Sequence, residues 1–127
     1  MTRKKFIDEY TRLLLRAMKL ANKAAQQGIP SLEDECEDIA DEQFKQGLRL
    51  VIDQTAPRLI DEIMTNRTAH EKDKYTRILK TVQKRAVLGI QAGEPFRVFY
   101  HVLKSIPPLT EKEENKIDSL ILYGGEL

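Results

Sequence analysis

The stretch from residue 44 to residue 64 constrains the fold most, because it carries two apolar stripes separated by a corner that contains a proline. The apolar residues within 48–52 recur at helical spacing, and those within 59–64 do so again after the corner. Pro57 fits the first turn of the second helix, where its missing N–H is not needed, and Thr55 is placed to cap that turn. Neither helix can bury its stripe alone, so the flanking segments must supply the rest of a core.

Amphipathic patterns on the N-terminal side of this stretch predict two more helices. The longer pattern covers residues 4–27, with an apolar face and a largely cationic opposite face, and Gly28 is placed to end it. Ser31 can cap a short helix that runs to about Ile39, and the acidic residues after it favour the positive N-terminal end of a helix.

The C-terminal side is also helical in pattern. A short helix is predicted between Pro95 and the Pro107-Pro108 pair, and a last one after a capping box formed by Thr110 and Glu113. That last helix is predicted to fray at the glycine pair 124–125. No segment alternates with a period of two residues over a useful length. We therefore predict an all-α fold, a small bundle of about five or six helices that forms one domain over residues 1–127.

The segment 57–92 allows two interpretations. Large apolar residues are missing from its middle, where Asn66 can end a helix and Thr68 with Glu71 matches a capping box. One interpretation is a helical hairpin that turns at residues 65–68, which the capping box favours. The other is a single continuous helix of about 35 residues, roughly 50 Å long.

Composition indicates a folded globular protein rather than a disordered one, with 41% hydrophobic and 32% charged residues among 127. The net charge of +1 creates no global field that would favour nucleic acid or an anionic membrane. No apolar run approaches the roughly 18–20 residues that span a bilayer, so we expect no membrane span. The basic start is followed by Asp8 and Glu9, unlike a signal peptide. Cys36 is the single cysteine, which fits a reducing compartment, and we expect a cytoplasmic protein.

The sequence contains no catalytic constellation. The glycines form no phosphate-binding loop, and His70 and His101 lie far apart in the chain at spacings that match no standard metal site. We therefore expect no enzymatic activity, no cofactor and no metal site.

An acidic run over residues 33–38 is the most distinctive charged feature, because five of its six residues are carboxylates. It can be a solvated helix start stabilised by the helix dipole, or a docking surface for a basic patch on a partner. A cationic face of the first helix is its natural counterpart, either within the fold or on the same surface: Arg12, Arg16, Lys19 and Lys23.

Two blocks of the sequence, at 21–64 and 87–108, resemble the flagellar stator subunits of the MotA/TolQ/ExbB proton-channel family. The first block is similar to the cytoplasmic segment after the second membrane helix of that family, and the second to the segment after the fourth. The residues that carry the match in the first block are Gln27-Gly28-Ile29, Ser31-Leu32-Glu33, Gly47 to Asp53, Thr55, Pro57, Leu59-Ile60 and Ile63. In the second block they are Ile90, Gln91, Gly93, Arg97, Val98, Leu103 and Pro107.

The resemblance implies a freestanding cytoplasmic stator domain, since the membrane helices of the family are missing. In that family a basic and an acidic residue of this domain engage the rotor protein FliG. The acidic position matches Glu33, whereas the basic position is occupied by Ala25, with Lys23 nearby.

The two blocks are antiparallel neighbours in the family. If the resemblance holds, the structure of segment 57–92 therefore decides the oligomeric state. A hairpin at 65–68 keeps them together in a monomer. A continuous helix would separate them, and two chains could then form a homodimer by domain swapping.

We expect a non-enzymatic protein–protein interaction module that docks to a flagellar motor component, either the rotor or the stator, and modulates motility. Leu32 and Ile29 are the expected apolar anchors, with charged neighbours providing steering and register. The expected partner-binding residues are Lys19, Lys23, Ile29, Leu32, Glu33, Glu35, Glu37 and Asp38.

The alternative is a helical nucleic-acid-associated protein, which would bind DNA or RNA with a steep dependence on salt. The near-neutral net charge argues against it. The cations that it would use are Arg12, Arg16, Lys19, Lys84 and Arg85.

Overall fold

The computed structural model describes residues 1–123, and in that range the chain is helical with no strand, which confirms the all-α prediction. The glycine pair 124–125 lies outside the described residues. A short 3₁₀ turn, Ile29–Leu32, separates the first two helices. The helices are α1 (Arg3–Gln27), α2 (Glu33–Cys36), α3 (Glu42–Ile52), α4 (Pro57–Ala69), α5 (Lys74–Ala92), α6 (Phe96–Lys104) and α7 (Glu111–Ile121).

Seven helices in this range exceed the predicted five or six, because the chain breaks between α4 and α5; the predicted short helix after Ser31 is present as α2 but ends at Cys36 instead of about Ile39. α1 follows its predicted pattern: it buries Phe6, Tyr10 and Leu14 and ends at Gly28, whose φ of 87° suits a residue without a Cβ. The proline corner before α4 and the capping box at the start of α7 are also present as predicted.

Two predicted caps are wrong. Thr55 does not cap α4, because the residue before that helix is Ala56 and no side chain caps its first turn. Ser31 lies within the 3₁₀ turn, where its hydroxyl donates to the carbonyl of Gly28 at 2.6 Å instead of capping α2.

The segment 57–92 is a hairpin, and the continuous helix is therefore wrong. The predicted position of the turn is also wrong, because the chain reverses at 70–73 instead of 65–68. Asn66 and Thr68 both lie within α4. The hydroxyl of Thr68 donates to the carbonyl of Met64 at 2.9 Å, so it supports the helix that it was predicted to precede.

Asp73 is the residue that begins α5. Its carboxylate accepts a hydrogen bond of 2.9 Å from the backbone N–H of Thr76 and one of 2.8 Å from the hydroxyl of the same residue. Glu71 is a partner in this turn, since it accepts from the backbone N–H of Asp73 at 3.2 Å and from Lys80 at 3.0 Å. The hairpin brings residues 21–64 and 87–108 together within one chain, so no exchange between chains is needed to join them.

α5 is the central helix of the bundle and packs against α1, α3, α4 and α6. Its glycine, Gly89, allows Phe99 of α6 to approach closely. A Cβ at Gly89 would overlap the carboxylate of Glu94 and lie 2.5 Å from Cε1 of the buried Phe99 ring. Gly47 serves the same purpose on α3, where a Cβ would lie 2.9 Å from the thioether end of Met64.

α7 buries Ile117, packs Ile121 against the same core, and makes polar contacts at both ends. Arg3 donates to both carboxylate oxygens of Glu113, at 3.0 and 2.6 Å, and this contact lowers the pKa of Glu113 to about 2. Near the other end, Asp118 accepts from the hydroxyl of Tyr100 at 2.6 Å and from the ammonium of Lys104 at 2.8 Å. Charged hydrogen bonds therefore add to the apolar contacts of Ile117 and Ile121 in attaching α7.

We expect Asp73→Ala to lower the thermal unfolding midpoint, because it removes the acceptor for the N–H and hydroxyl of Thr76. Thr68→Ala is the matched control, and we expect a much smaller change from it because it removes a hydroxyl within α4. Circular dichroism during heating measures both. A larger fall in the thermal midpoint from Thr68→Ala than from Asp73→Ala would contradict the turn at 70–73 and favour one at 65–68.

Gly89→Ala should lower the free energy of unfolding by about 1–3 kcal/mol, the usual range for overpacking a core, because the Phe99 ring cannot move aside. Gly47→Ala should cost less, since the flexible end of Met64 can retreat. Denaturant titration of the two variants compares helical glycines in the same bundle. An equal cost at both positions would contradict the packing described for α5 and α6.

Candidate protein-docking surface

The structure gathers the predicted partner-binding residues where the end of α1 meets the 3₁₀ turn, α2 and α3. Lys19 and Lys23 lie on α1, and Ile29 and Leu32 lie in the 3₁₀ turn. The acidic residues stand on α2 and directly after it: Glu33, Glu35, Glu37 and Asp38. The cations at the end of α1 and the carboxylates on and after α2 therefore lie on one face of the bundle.

The cationic face of α1 pairs with the acidic run within the fold. The ammonium of Lys23 donates to Glu35 at 2.8 Å, and the guanidinium of Arg16 lies 3.8 Å from the same carboxylate. Arg16 also donates to the backbone carbonyl of Asp38 at 3.3 Å. The hydrogen bond from Lys23 holds the pKa of Glu35 below its ordinary value of 4.5, because it stabilises the charged carboxylate.

Arg49 is a second cationic partner of the acidic run, and the sequence analysis missed it. It lies in the last turn of α3, 3.5 Å from the carboxylate of Glu33 and 3.6 Å from that of Glu37. All three side chains stay substantially exposed, with 43% of Arg49, 57% of Glu33 and 78% of Glu37 accessible to solvent. The signal that could have revealed Arg49 is its place on the polar side of an amphipathic helix close to an acidic segment.

Leu32 was predicted as an apolar anchor for a partner, and that prediction is wrong. Its side chain is fully buried in the core, because the 3₁₀ turn directs it inward beneath α1. Ile29 is partly buried against the same core. Cys36 is also buried, and burial raises the pKa of its thiol, so it behaves as a core residue.

Within residues 1–123, several charged side chains of this surface have no oppositely charged group within 4 Å. Lys19 on α1 is exposed and unpaired in this sense, and so are the side chains of Asp34 and Asp38. The surface that a partner meets is therefore a mixture of loosely paired and unpaired charges. A partner at this face would contact charged side chains and a small part of Ile29.

The cations that the nucleic-acid alternative would use are mostly occupied. Lys84 pairs with Asp61 at 2.9 Å, and Arg85 makes two contacts with Glu94 at 2.9 and 2.5 Å. Since Arg16 is also paired, only two of the five, Arg12 and Lys19, lack a carboxylate within 4 Å in the part of the chain that the structure describes. Three of the five cations that this alternative needs are therefore engaged within the fold.

No group of three or more His, Cys, Asp or Glu side chains among residues 1–123 is arranged to hold a metal ion. Over the same range, no helix combines the length and the apolar character needed to cross a membrane.

Comparison with known proteins gives one informative similarity. The chain is 30% identical over 77 residues to Motility protein A of Treponema phagedenis, and the aligned part is 61% of this chain. It is 30% of that protein, so the chain spans less than a third of the length of the relative that it matches. No protein-family model matches the chain, and no solved structure matches it. The similarity supports a MotA-like relation.

We expect Glu35→Gln to destabilise the fold at neutral pH, because it removes the charge that pairs with Lys23 and Arg16. The pKa of Glu35 is lowered in the folded state, so its contribution is present above 4.5 and is lost as the pH falls below that value. The difference in denaturant midpoint between the variant and the unaltered chain should therefore shrink in acid.

Glu62→Gln is the control for this comparison, because Glu62 is exposed on α4 and makes no ion pair within residues 1–123. We expect it to leave the midpoint unchanged at both pH values. A Glu35→Gln deficit that stays constant down to the lowest pH would contradict a contribution from the ionised pair.

Proposed function

We propose that this protein is a non-enzymatic protein–protein interaction module that docks to a component of the flagellar motor, either the rotor or the stator, and modulates motility in the cytoplasm. The single observation that carries the proposal is the similarity to Motility protein A over 61% of the chain. The resemblance of residues 21–64 and 87–108 to the cytoplasmic segments of the stator family supports the same conclusion.

The docking surface in this proposal is the charged face formed by the end of α1, α2 and Arg49. Its exposed ion pairs are suited to exchange, because salt bridges between solvent-exposed side chains contribute little to folding. Glu33 and Glu37 can therefore leave Arg49 for a cation on a partner at small cost. Charges of this kind set the association rate and the register of a complex more than its affinity.

The basic half of the family's charged pair is supplied differently in this proposal. Its expected position is Ala25, and the nearby Lys23 is engaged with Glu35. Lys19 is an exposed cation of α1, one turn before Lys23, and has no carboxylate within 4 Å among residues 1–123. We therefore assign Lys19 and Glu33 the steering role, with Glu37 and Asp38 extending the acidic side of the contact.

A binding titration against the C-terminal domain of the rotor protein from the same genome tests the proposal. We expect saturable binding that weakens between low and physiological salt, because screening reduces attraction between exposed charges. Glu33→Lys should weaken it by about tenfold, since it turns an attraction into a repulsion. Isothermal calorimetry gives the affinity, and circular dichroism confirms that the variant is folded.

Glu62→Lys is the matched control, because it makes the same change of charge on α4, away from the acidic run. It should leave the affinity unchanged. An equal loss from the two variants would mean that net charge alone is responsible. Flat titrations at both salt concentrations would remove the rotor as partner, and the same measurement against the stator's cytoplasmic segment would then decide whether the motor proposal survives.

A further inference from the structure

We propose that α7 is a detachable latch over a second docking face. That face is formed by α1 and α6 and binds an acidic amphipathic helix of a partner protein, and α7 is its autoinhibitory occupant within the chain. The latch lies outside residues 21–64 and 87–108, and the face is separate from the Glu33 surface. The partner is defined by the chemistry of the contacts that α7 itself makes.

The core of the bundle depends little on α7. Ile117 is the one side chain of this helix that is fully buried, and Ile121 packs partly against the core. The other buried apolar side chains within residues 1–123 lie on α1 to α6 and the segments between them. Elements with few buried apolar contacts open locally at a lower free energy than the whole fold. α7 therefore suits release as a unit.

The ion pairs of α7 have one sign on each side. Glu113 pairs with Arg3 of α1. Lys104 of α6 pairs with Glu114 at 3.1 Å and with Asp118 at 2.8 Å. Within residues 1–123, each ion pair across this boundary joins a carboxylate of α7 to a cation of the rest of the fold. A helix that replaces α7 must therefore carry carboxylates at the same spacing.

The rest of the bundle holds the two cations of the face in place. The guanidinium carbon of Arg3 lies 5.4 Å from the ring centre of Phe6 and 5.8 Å from that of Tyr75. The ammonium of Lys104 lies 5.2 Å from the ring centre of Tyr100. These rings belong to α1, α5 and α6, and they attract a cation whether or not α7 is present. The face is therefore preorganised for carboxylates.

The fit of α7 on α1 leaves space. A cleft of about 410 Å³ lies between the two helices, with Ile7 and Thr11 on one side and Ile117 and Leu120 on the other. Its charged lining residues are Asp8, Arg12 and Lys116. Unfilled space forfeits dispersion contacts, so a helix with a larger apolar side chain at the position of Leu120 would pack better than α7 does.

The connection to α6 allows α7 to leave without the linker. Pro107 is buried, and Ile106 and Leu109 pack against the core. The capping box of Thr110 and Glu113 lies within the first turn of α7 itself, so the helix can swing at residue 110 with its cap intact. A short tether keeps the released helix at a high effective concentration near its face. α7 is therefore a competitor that a partner helix must outbind.

The α7 helix of a second copy is the less suitable occupant. Exchange of α7 between two chains would form the same contacts again and leave the same cleft. No contact would be gained to offset the lost freedom of two molecules. A partner helix that fills the cleft supplies additional contact.

Hydrogen exchange of the full chain, followed by mass spectrometry, tests the latch. We expect amides of residues 111–121 to exchange faster than those of 74–92, because α7 opens without the bundle. Lys104→Gln should accelerate exchange in α7 by about tenfold and leave α5 unchanged, because it removes charged hydrogen bonds to α7 alone. Lys84→Gln, which breaks an ion pair with Asp61 of α4, is the matched control and should leave α7 unchanged.

Equal exchange in α5 and α7, or equal acceleration of both helices by Lys104→Gln, would show that α7 opens only when the whole bundle unfolds. Either result would overturn the latch.

A fluorescently labelled peptide that copies residues 110–121 tests the face, with anisotropy as the readout. Asp118→Lys in the chain should release its own α7, and we expect the peptide to bind this variant about tenfold more tightly than the unaltered chain. The same Asp118→Lys change in the peptide should abolish binding. Glu62→Lys in the chain, at an exposed position of α4, is the matched control and should bind the peptide no better than the unaltered chain does.

Leu120→Phe in the peptide should tighten its binding to the Asp118→Lys chain, because the larger side chain fills the cleft. Weaker binding would show that the cleft excludes a larger side chain, and it would overturn the assignment of the face to a partner helix.

Other outcomes also overturn the proposal. If the Asp118→Lys chain loses the helical spectrum of the bundle, or binds the copied peptide no more tightly than the unaltered chain, α7 is a fixed part of the fold. A concentration-dependent dimer in sedimentation that Asp118→Lys dissociates would assign the face to the α7 helix of a second copy. The rotor titration with Glu33→Lys concerns a different surface, so failure of either proposal is recognised without reference to the other.

Discussion

The cap that Asp73 places on α5 is the interaction on which the rest of the bundle depends. Its carboxylate accepts from the backbone N–H of Thr76, and this bond, with the one from the Thr76 hydroxyl, lowers the pKa of Asp73 to about 2. The charged form is thus the one that the folded turn prefers. Because the helix restarts there, α5 returns antiparallel to α4 and reaches α1, α3 and α6 as well. Without that reversal, α5 could not pack among the other helices.

Much of the fold could be predicted because its signals are local. The apolar period identified α1, and a capping box located the start of α7, since each depends on residues within one or two turns. The hairpin turn was misplaced because two capping signals compete within a few residues. Thr68 with Glu71 matches a capping box by spacing, yet α4 continues through Thr68, and Asp73 directly before the next apolar pattern is the cap that forms. Spacing alone cannot rank these signals, because the outcome depends on how far Met64 and Ile60 anchor α4 to the core.

The charged residues of the candidate surface could be predicted from the sequence. The role of its apolar residues could be predicted less well. The pairing of α1 cations with the acidic run follows from their order in the chain, and Lys23 with Glu35 realises it. The burial of Leu32 could not be foreseen, since the 3₁₀ turn that directs it inward has too few residues to show a period. The contribution of Arg49 depends on the packing of α3 beside α2, which is a tertiary contact. The acidic run, which the sequence left open as a solvated helix start or a docking patch, is thus paired within the fold through Glu33, Glu35 and Glu37. Of the four cations on the opposing face of α1, Arg12 and Lys19 have no carboxylate within 4 Å among residues 1–123.

The packing of α1 also bears on how the chain is made in the cell. The ring of Phe6 stacks against that of Tyr75 with 4.5 Å between their centroids, and the hydroxyl of Tyr10 donates to the carbonyl of Leu103 at 3.0 Å. A ribosome synthesises α1 first, but these partners follow only when α5 and α6 have been translated. The early part of α1 therefore remains an uncovered apolar helix throughout most of translation, in the period when nascent chains are most prone to aggregate.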